Sequence, residues 1–149
     1  MNNFWSQIFA NKVLWLTLLS WAIAQGIKII TGLVQGKKFN FYWVLRTGGM
    51  PSAHSAAVAA LAIGIGQELG YQSPFFALSA IVALIAMFDA QTWRRSIGVQ
   101  ARILNKIIDD FHEGKKIEEE KMKELVGHTP TEVFAGAFIG IITVVIFYL

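Results

Sequence analysis

Four apolar stretches, each near the length of a membrane crossing, occupy about half of this 149-residue chain. They run roughly Val13–Val34, Pro51–Leu69, Pro74–Ala90 and Thr131–Leu149. Hydrocarbon offers no partner to a backbone amide, so each stretch must satisfy its own hydrogen bonds as a helix of about 20 residues. The expected fold is therefore all-α: a polytopic membrane protein with about four transmembrane helices, forming one domain over residues 1–149. Charged residues make up 15% of the sequence and hydrophobic ones 54%, whereas a soluble domain carries about 25% charge. Lys12 alone precedes the first apolar run, which is longer than the ~7–15 residues of a signal-peptide core, so the run reads as a retained span. There is no cysteine, which excludes disulfides and thiolate metal ligands.

The second stretch is rich in Ala and Gly, and the fourth carries Gly136 and Gly140 as GAFIG. Small residues let helices approach closely in lipid, within one chain or between copies. Between the third and fourth stretches lies a polar segment, about residues 94–127. In it Ile97, Ala101, Leu104, Ile107, Ile108 and Phe111 recur at helical spacing, and a second short helix is expected over Ile117–Val126. Together they read as an amphipathic helical hairpin lying on the membrane.

Lysine and arginine bias sets the orientation. With four spans, Lys12 is the single cation outside the membrane on the side of the termini. The other side holds eleven, from Lys37 and Lys38 through Arg94 and Arg95 to Lys123. That loop-and-hairpin side is expected to be cytoplasmic, with Tyr42, Trp43 and Trp93 as its aromatic belt. The same topology gathers distant polar residues at one face: His54 starts the second span, Asp89, Arg94 and Arg95 end the third, and His128 and Glu132 start the fourth. They read as one site.

His54 lies within Gly48–Ala56, GGMPSAHSA, and His128 within Gly127–Val133, GHTPTEV. His128 and Glu132 are spaced to share a helix face, so the carboxylate can hold the imidazole in one tautomer, as in catalytic triads. Glu132 also fits a capping box with Thr129 and Pro130 at the helix start, and the two roles are compatible. Gly49 and Ser52 precede the second helix, where exposed N–H groups and the helix dipole favour an anion; an ordinary glycine turn would explain the glycines but not the histidine. Arg94 and Arg95 offer planar forks for phosphate oxygens, or anchor the helix end. Lys28 lies inside the first span, facing either the bundle interior or the interface by way of its long stem. Asp89 reads as an arginine's ion-pair partner, a helix-end residue or, less simply, a metal ligand. His112 and Glu118–Glu120 read as solvated charge. No spacing such as HExxH indicates a metal site.

These residues also carry a resemblance. GGMPSAHSA, FDAQTWRRSIGVQARILNKI (Phe88–Ile107) and LVGHTPTEVFAG (Leu125–Gly136) resemble the divergent branch of the type 2 phosphatidic acid phosphatase superfamily, the acid phosphatase/vanadium haloperoxidase-related membrane proteins. Pro51-Ser52-Ala53-His54 is similar to that superfamily's Pro-Ser-Gly-His, with alanine for glycine. His128 and Glu132 are similar to the end of its third motif, with glutamate for aspartate. The resemblance implies that His128 is a nucleophile forming a phosphohistidine, that Glu132 orients it, and that His54 is the general acid. No Arg-Pro follows a lysine at the superfamily's distance, which leaves Lys28 as the first motif's candidate. Met122 stands where the third motif has arginine, which leaves Arg94 and Arg95 as the candidate clamp.

The expected activity is hydrolysis of a lipid phosphomonoester or diphosphate of the phosphatidylglycerol phosphate, phosphatidate or isoprenoid phosphate type, in the inner or plasma membrane of a prokaryote, with no cofactor and no metal. Expected partners are the lipid phosphate, the bilayer and further copies of the chain, since the superfamily's bundle has more helices; no nucleic acid is expected. The alternative is a non-catalytic oligomer that binds or transports an anionic lipid or solute. A lipid kinase lacks a P-loop pattern here.

Overall fold

The computed structural model describes residues 3–36, 49–111 and 128–149, with backbone alone at 93–97 and 109–111. Among these residues the chain is wholly helical: α1 (Phe4–Ala10), α2 (Lys12–Val34), α3 (Ala53–Leu69), α4 (Pro74–Phe111) and α5 (Pro130–Tyr148). The aromatic pair Tyr42/Trp43, Gly48, His112, Glu118–Glu120, Met122 and the second arm of the expected hairpin lie outside the described residues.

Three helices are long and apolar enough to cross a membrane: Lys12–Val34, Pro74–Thr92 and Pro130–Tyr148. Their outward faces carry large exposed apolar side chains, among them Leu18, Leu19, Ile81, Ile85, Phe134 and Phe138. Water would not tolerate that surface, and lipid would. The stretch expected as a span from Pro51 instead begins its helix at Ala53 and has 17 residues, or about 25 Å at helical rise. It lies between the other three rather than beside them, packing on α2, α4 and α5. Its buried positions are all small: Ala53, Ser55, Ala56, Ala59, Ala60, Ala62, Gly64 and Gly66. A helix without bulk on any side can be approached from three directions at once.

The closest approach is to α5. A Cβ on Gly136 would stand 2.1 Å from the Ser52 carbonyl oxygen, and one on Gly140 would stand 2.2 Å from that of Ala56. GAFIG is therefore used within the chain, against the backbone of α3. Further along, Val144 meets Ala60 in a cluster with Leu16, and the Tyr148 hydroxyl donates to Glu68. These pairs ascend both helices together, so α3 and α5 run parallel, with their N-termini at one end of the bundle. Helix α2 runs the opposite way: Val13 meets Gly64 and Lys28 meets Gly49.

Helix α4 departs from expectation. The sequence places a span ending at Ala90 and a separate amphipathic helix from Arg94, but one helix runs unbroken from Pro74 to Phe111. No glycine or proline stands between Ala90 and Ile97, and polar helix formers such as Gln91 and Arg94 continue a helix as readily in water as apolar residues do in lipid. The change of polarity marks the membrane boundary and not a helix end. Beyond it Ala101 and Asn105 are buried in the protein, while Leu104 and Ile107 are exposed.

Gly140→Ala should lower the melting temperature in detergent steeply, because its Cβ has only backbone to meet; overpacking costs about 1–3 kcal/mol even where side chains can yield. Gly26→Ala, with nothing within 4 Å of the added carbon, should be neutral or stabilising by up to about 1 kcal/mol. Equal effects at the two sites would refute the backbone contact between α3 and α5.

Candidate functional site

The site forms where α3 and α5 begin. Thr129 caps α5: its hydroxyl accepts from the Glu132 N–H at 3.4 Å, and the Glu132 carboxylate accepts from the Thr129 N–H at 3.1 Å. Pro130 occupies the first turn, where a missing N–H costs nothing. The same oxygen, Glu132 Oε2, also lies 2.9 Å from His128 Nδ1. A carboxylate only accepts, so Nδ1 carries the proton and donates it. Capping and orienting are thus a single arrangement: the box fixes the carboxylate, and the carboxylate fixes the imidazole.

His128 is 2% exposed. In the neutral ring with Nδ1 protonated, Nε2 carries the lone pair, and that atom is buried without a hydrogen-bond partner among the described residues. Such groups are uncommon in folded proteins, because burying an unpaired polar atom costs about 1–3 kcal/mol.

Backbone bonds join the neighbouring elements to this point. The Ser52 N–H donates to the Glu132 carbonyl at 2.9 Å, and the His128 N–H donates to the Ala90 carbonyl at 3.1 Å. Ser52 caps α3, its Oγ accepting from the Ser55 N–H at 3.3 Å and from the Ser55 hydroxyl at 3.0 Å. Both serines are buried, and in both bonds the Ser52 oxygen accepts, so the cap leaves its own proton unused. Gly49 adopts φ +88° over the stem of Lys28, with room for a Cβ 3.6 Å from Lys28 Cδ. Lys28 is half-buried, and the Glu132 charge acts on its ammonium.

His54 and Asp89 stand slightly apart from this centre. Both line a half-open cavity of about 420 Å3 whose other walls are Trp21 of α2, Ala57 and Val58 of α3, and Ala86 and Ala90 of α4. The cavity exists because α2 and α4 flank α3 without touching each other. Ala90 joins the two regions, lining the cavity and accepting the His128 N–H. The structure therefore gathers His54, His128, Glu132, Lys28, Gly49, Ser52 and Asp89 at one end of the bundle. Arg94 and Arg95 continue α4 from that end, and their side chains lie outside the described residues. No group of three or more His, Asp or Glu that could hold a metal occurs among the described residues.

Three components went unread in the sequence. The Ala90 carbonyl carries no side-chain signal. Trp21 lies seven residues before Lys28 on α2, a spacing that places both on one face. Gln25, between them, is buried and partnered, and an amide inside an apolar run is itself a sign of an inward-facing stripe.

The alignment profile described as the divergent PAP2 family matches residues 9–143. The chain belongs to that family. This divergent PAP2 protein is 41% identical, over 95% of its own length and 98% of the relative's, to the uncharacterised membrane protein YuiD of Bacillus subtilis strain 168. No solved structure matches it. The match spans α2 to α5 with the site among them, and the family and its apolar helices make the divergent PAP2 protein an integral membrane protein.

Thr129→Ala should cost about 1 kcal/mol, as for the loss of a helix cap. Glu132→Ala should cost more than that, because it also strips the buried His128 Nδ1–H of its acceptor, a further ~1–3 kcal/mol. Denaturation in detergent micelles compares them; equal losses would mean that the Glu132–His128 bond contributes nothing.

Proposed function

We propose that this protein is a lipid phosphate phosphatase working through a phosphohistidine on His128. The observation that carries the reading is the state of that imidazole: Nδ1 donated to Glu132 at 2.9 Å and Nε2 buried without a partner. An oriented base with one free lone pair is the signature of an activated nucleophile.

In the proposed reaction the Nε2 lone pair attacks phosphorus and the bond from phosphorus to the lipid oxygen breaks. His54 gives its proton to the departing alkoxide. Water then attacks the phosphohistidine, His54 takes the water's proton, and the N–P electron pair returns to Nε2 as phosphate leaves. Glu132 stabilises the imidazolium present while phosphorus is bound. Lys28 and the arginines at positions 94 and 95 supply positive charge for the phosphoryl oxygens, where most phosphoryl-transfer catalysis resides. No step calls for a metal ion. The acceptable substrates are phosphomonoesters or diphosphates of lipids: phosphatidylglycerol phosphate, phosphatidate or isoprenoid phosphates.

The wider reading is a four-span topology in which α3 crosses with the other three helices and the site faces the cytoplasm of a prokaryotic inner or plasma membrane. It is supported by the parallel run of α3 and α5 and by the weight of lysine and arginine on the site's side. The competing oligomeric carrier loses part of its sequence support, because Gly136 and Gly140 are spent on α3 within the chain.

The test is phosphate release by purified protein in the presence of EDTA, across a panel of lipid phosphates. Wild type should release phosphate and His128→Ala should lose at least ~10^3-fold in rate, as for removal of a covalent nucleophile. Inverted membrane vesicles should hydrolyse added substrate directly, and right-side-out vesicles only after permeabilisation. Release that persists in His128→Ala would end the nucleophile assignment, and the opposite vesicle pattern would reverse the orientation.

A further inference from the structure

Helix α4 keeps the same two faces on both sides of the membrane boundary. Its buried positions include Ala83 and Ala90 in the span and Ala101 and Asn105 beyond it, all on one side of the axis at about 100° per residue. On the opposite side Leu78, Ile81, Val82 and Ile85 are exposed in the span, and Val99, Ile103 and Ile107 are exposed beyond it. These seven fall within one sector about 100° wide that runs for about 44 Å along the helix. Polar Asp89, Thr92 and Gln100 share the sector around the boundary.

Lipid covers this face in the span, but not beyond Thr92, where the apolar stretch ends. Val99, Ile103 and Ile107 stand about 10, 16 and 22 Å further along the axis. The headgroup layer outside the hydrocarbon is only about 5–8 Å deep on each side. Helix α4 is unbroken and has no proline after its first residue, so it can lean but not fold flat onto the surface. A tilt of about 40°, the upper end for membrane helices, still leaves Ile103 about 13 Å past the hydrocarbon. Contiguous apolar surface held that far into water marks an interaction site.

The occupant that fits is a second copy of the chain. Copies in one membrane hold their α4 helices parallel and at the same depth, so the stripe of one meets the same stripe of the other. A face that pairs with itself about a two-fold axis must be self-complementary. This one is: Val99, Ile103 and Ile107 are uncharged and aliphatic, and Arg102 and Lys106 fall outside the sector. The glycines of GAFIG are spent on α3, which leaves the joining of copies to another surface. We propose that two copies pair along α4 from Leu78 to Ile107, with Val99, Ile103 and Ile107 as the part of the seam that water drives together. Only there does pairing expel water, since lipid already covers the span. The proposal does not depend on the phosphatase reading.

The chain has no cysteine, so single cysteines report the seam cleanly. In membranes treated with copper phenanthroline, Ile103→Cys and Ile107→Cys should form disulfide-linked dimers several-fold faster than Arg102→Cys, which is exposed but outside the sector. Cross-linking at the Arg102→Cys rate would overturn the proposal. Labelling with a water-soluble maleimide then says what replaces it. Fast labelling means a face bare to water, and slow labelling means cover by residues 112–127 of the same chain or by the lipid surface. A second readout needs no cysteine. By light scattering in mild detergent the unaltered protein should have the mass of a dimer, and the double variant Ile103→Glu/Ile107→Glu that of a monomer with unchanged helical circular dichroism. A monomeric unaltered protein, or a dimer that survives both glutamates, would overturn the proposal.

Discussion

The backbone approach of α5 to α3 is the constraint from which the rest of the site follows. Gly136 and Gly140 bring one helix onto the carbonyls of Ser52 and Ala56, a separation that no side chain permits. In lipid there is no hydrophobic gain in joining two apolar helices, so close packing of small residues must supply the attraction. That contact draws the two helix starts together. Once they meet, the Ser52 N–H reaches the Glu132 carbonyl, and the first turn of α3, which bears His54, lies near the start of α5 and His128. Bulk at either glycine would separate the two histidines along with the helices.

Polarity is concentrated where that packing leaves room for it. An ionised group in hydrocarbon is costly unless paired, and here Glu132 and Lys28 each have an identifiable reason to be there. Glu132 receives a backbone N–H and an imidazole N–H and lies under the influence of Lys28. Lys28 passes its stem beneath Gly49, where a left-handed backbone leaves the space above the chain open. The opposite end of the bundle holds a smaller polar cluster, with Tyr148 bonded to Glu68 and Lys12 set over the Tyr148 ring. Among the described residues the buried side-chain polar atoms without a partner are His128 Nε2 at the site and Thr17 Oγ1 on α2.

Much of this was legible in the residues. Apolar length gave three of the helices to within a residue or two, and the Thr129–Glu132 spacing gave both the cap and the His128 partner. Reading those two roles as compatible was sound, because a single carboxylate oxygen serves both. What escaped the sequence was relational. Ala-rich composition shows that α3 can be approached closely, yet not that three helices surround it or that α2 and α4 stay apart to leave a cavity. Gly136 and Gly140 announce close packing without naming the partner, and the partner lies some eighty residues away. The continuity of α4 was hidden because a change from apolar to polar residues looks like a boundary between elements when it is a boundary between solvents.

The account stands on His128 as the atom that takes the phosphoryl group. The most direct measurement is to react purified protein briefly with a radiolabelled lipid phosphate, quench in alkali, which preserves a phosphoramidate, and locate the label by mass spectrometry. The account predicts label on His128, absent in His128→Ala and formed and lost at rates consistent with phosphate release. Phosphate released at the same rate with no label on His128, or with label on another side chain, would contradict it.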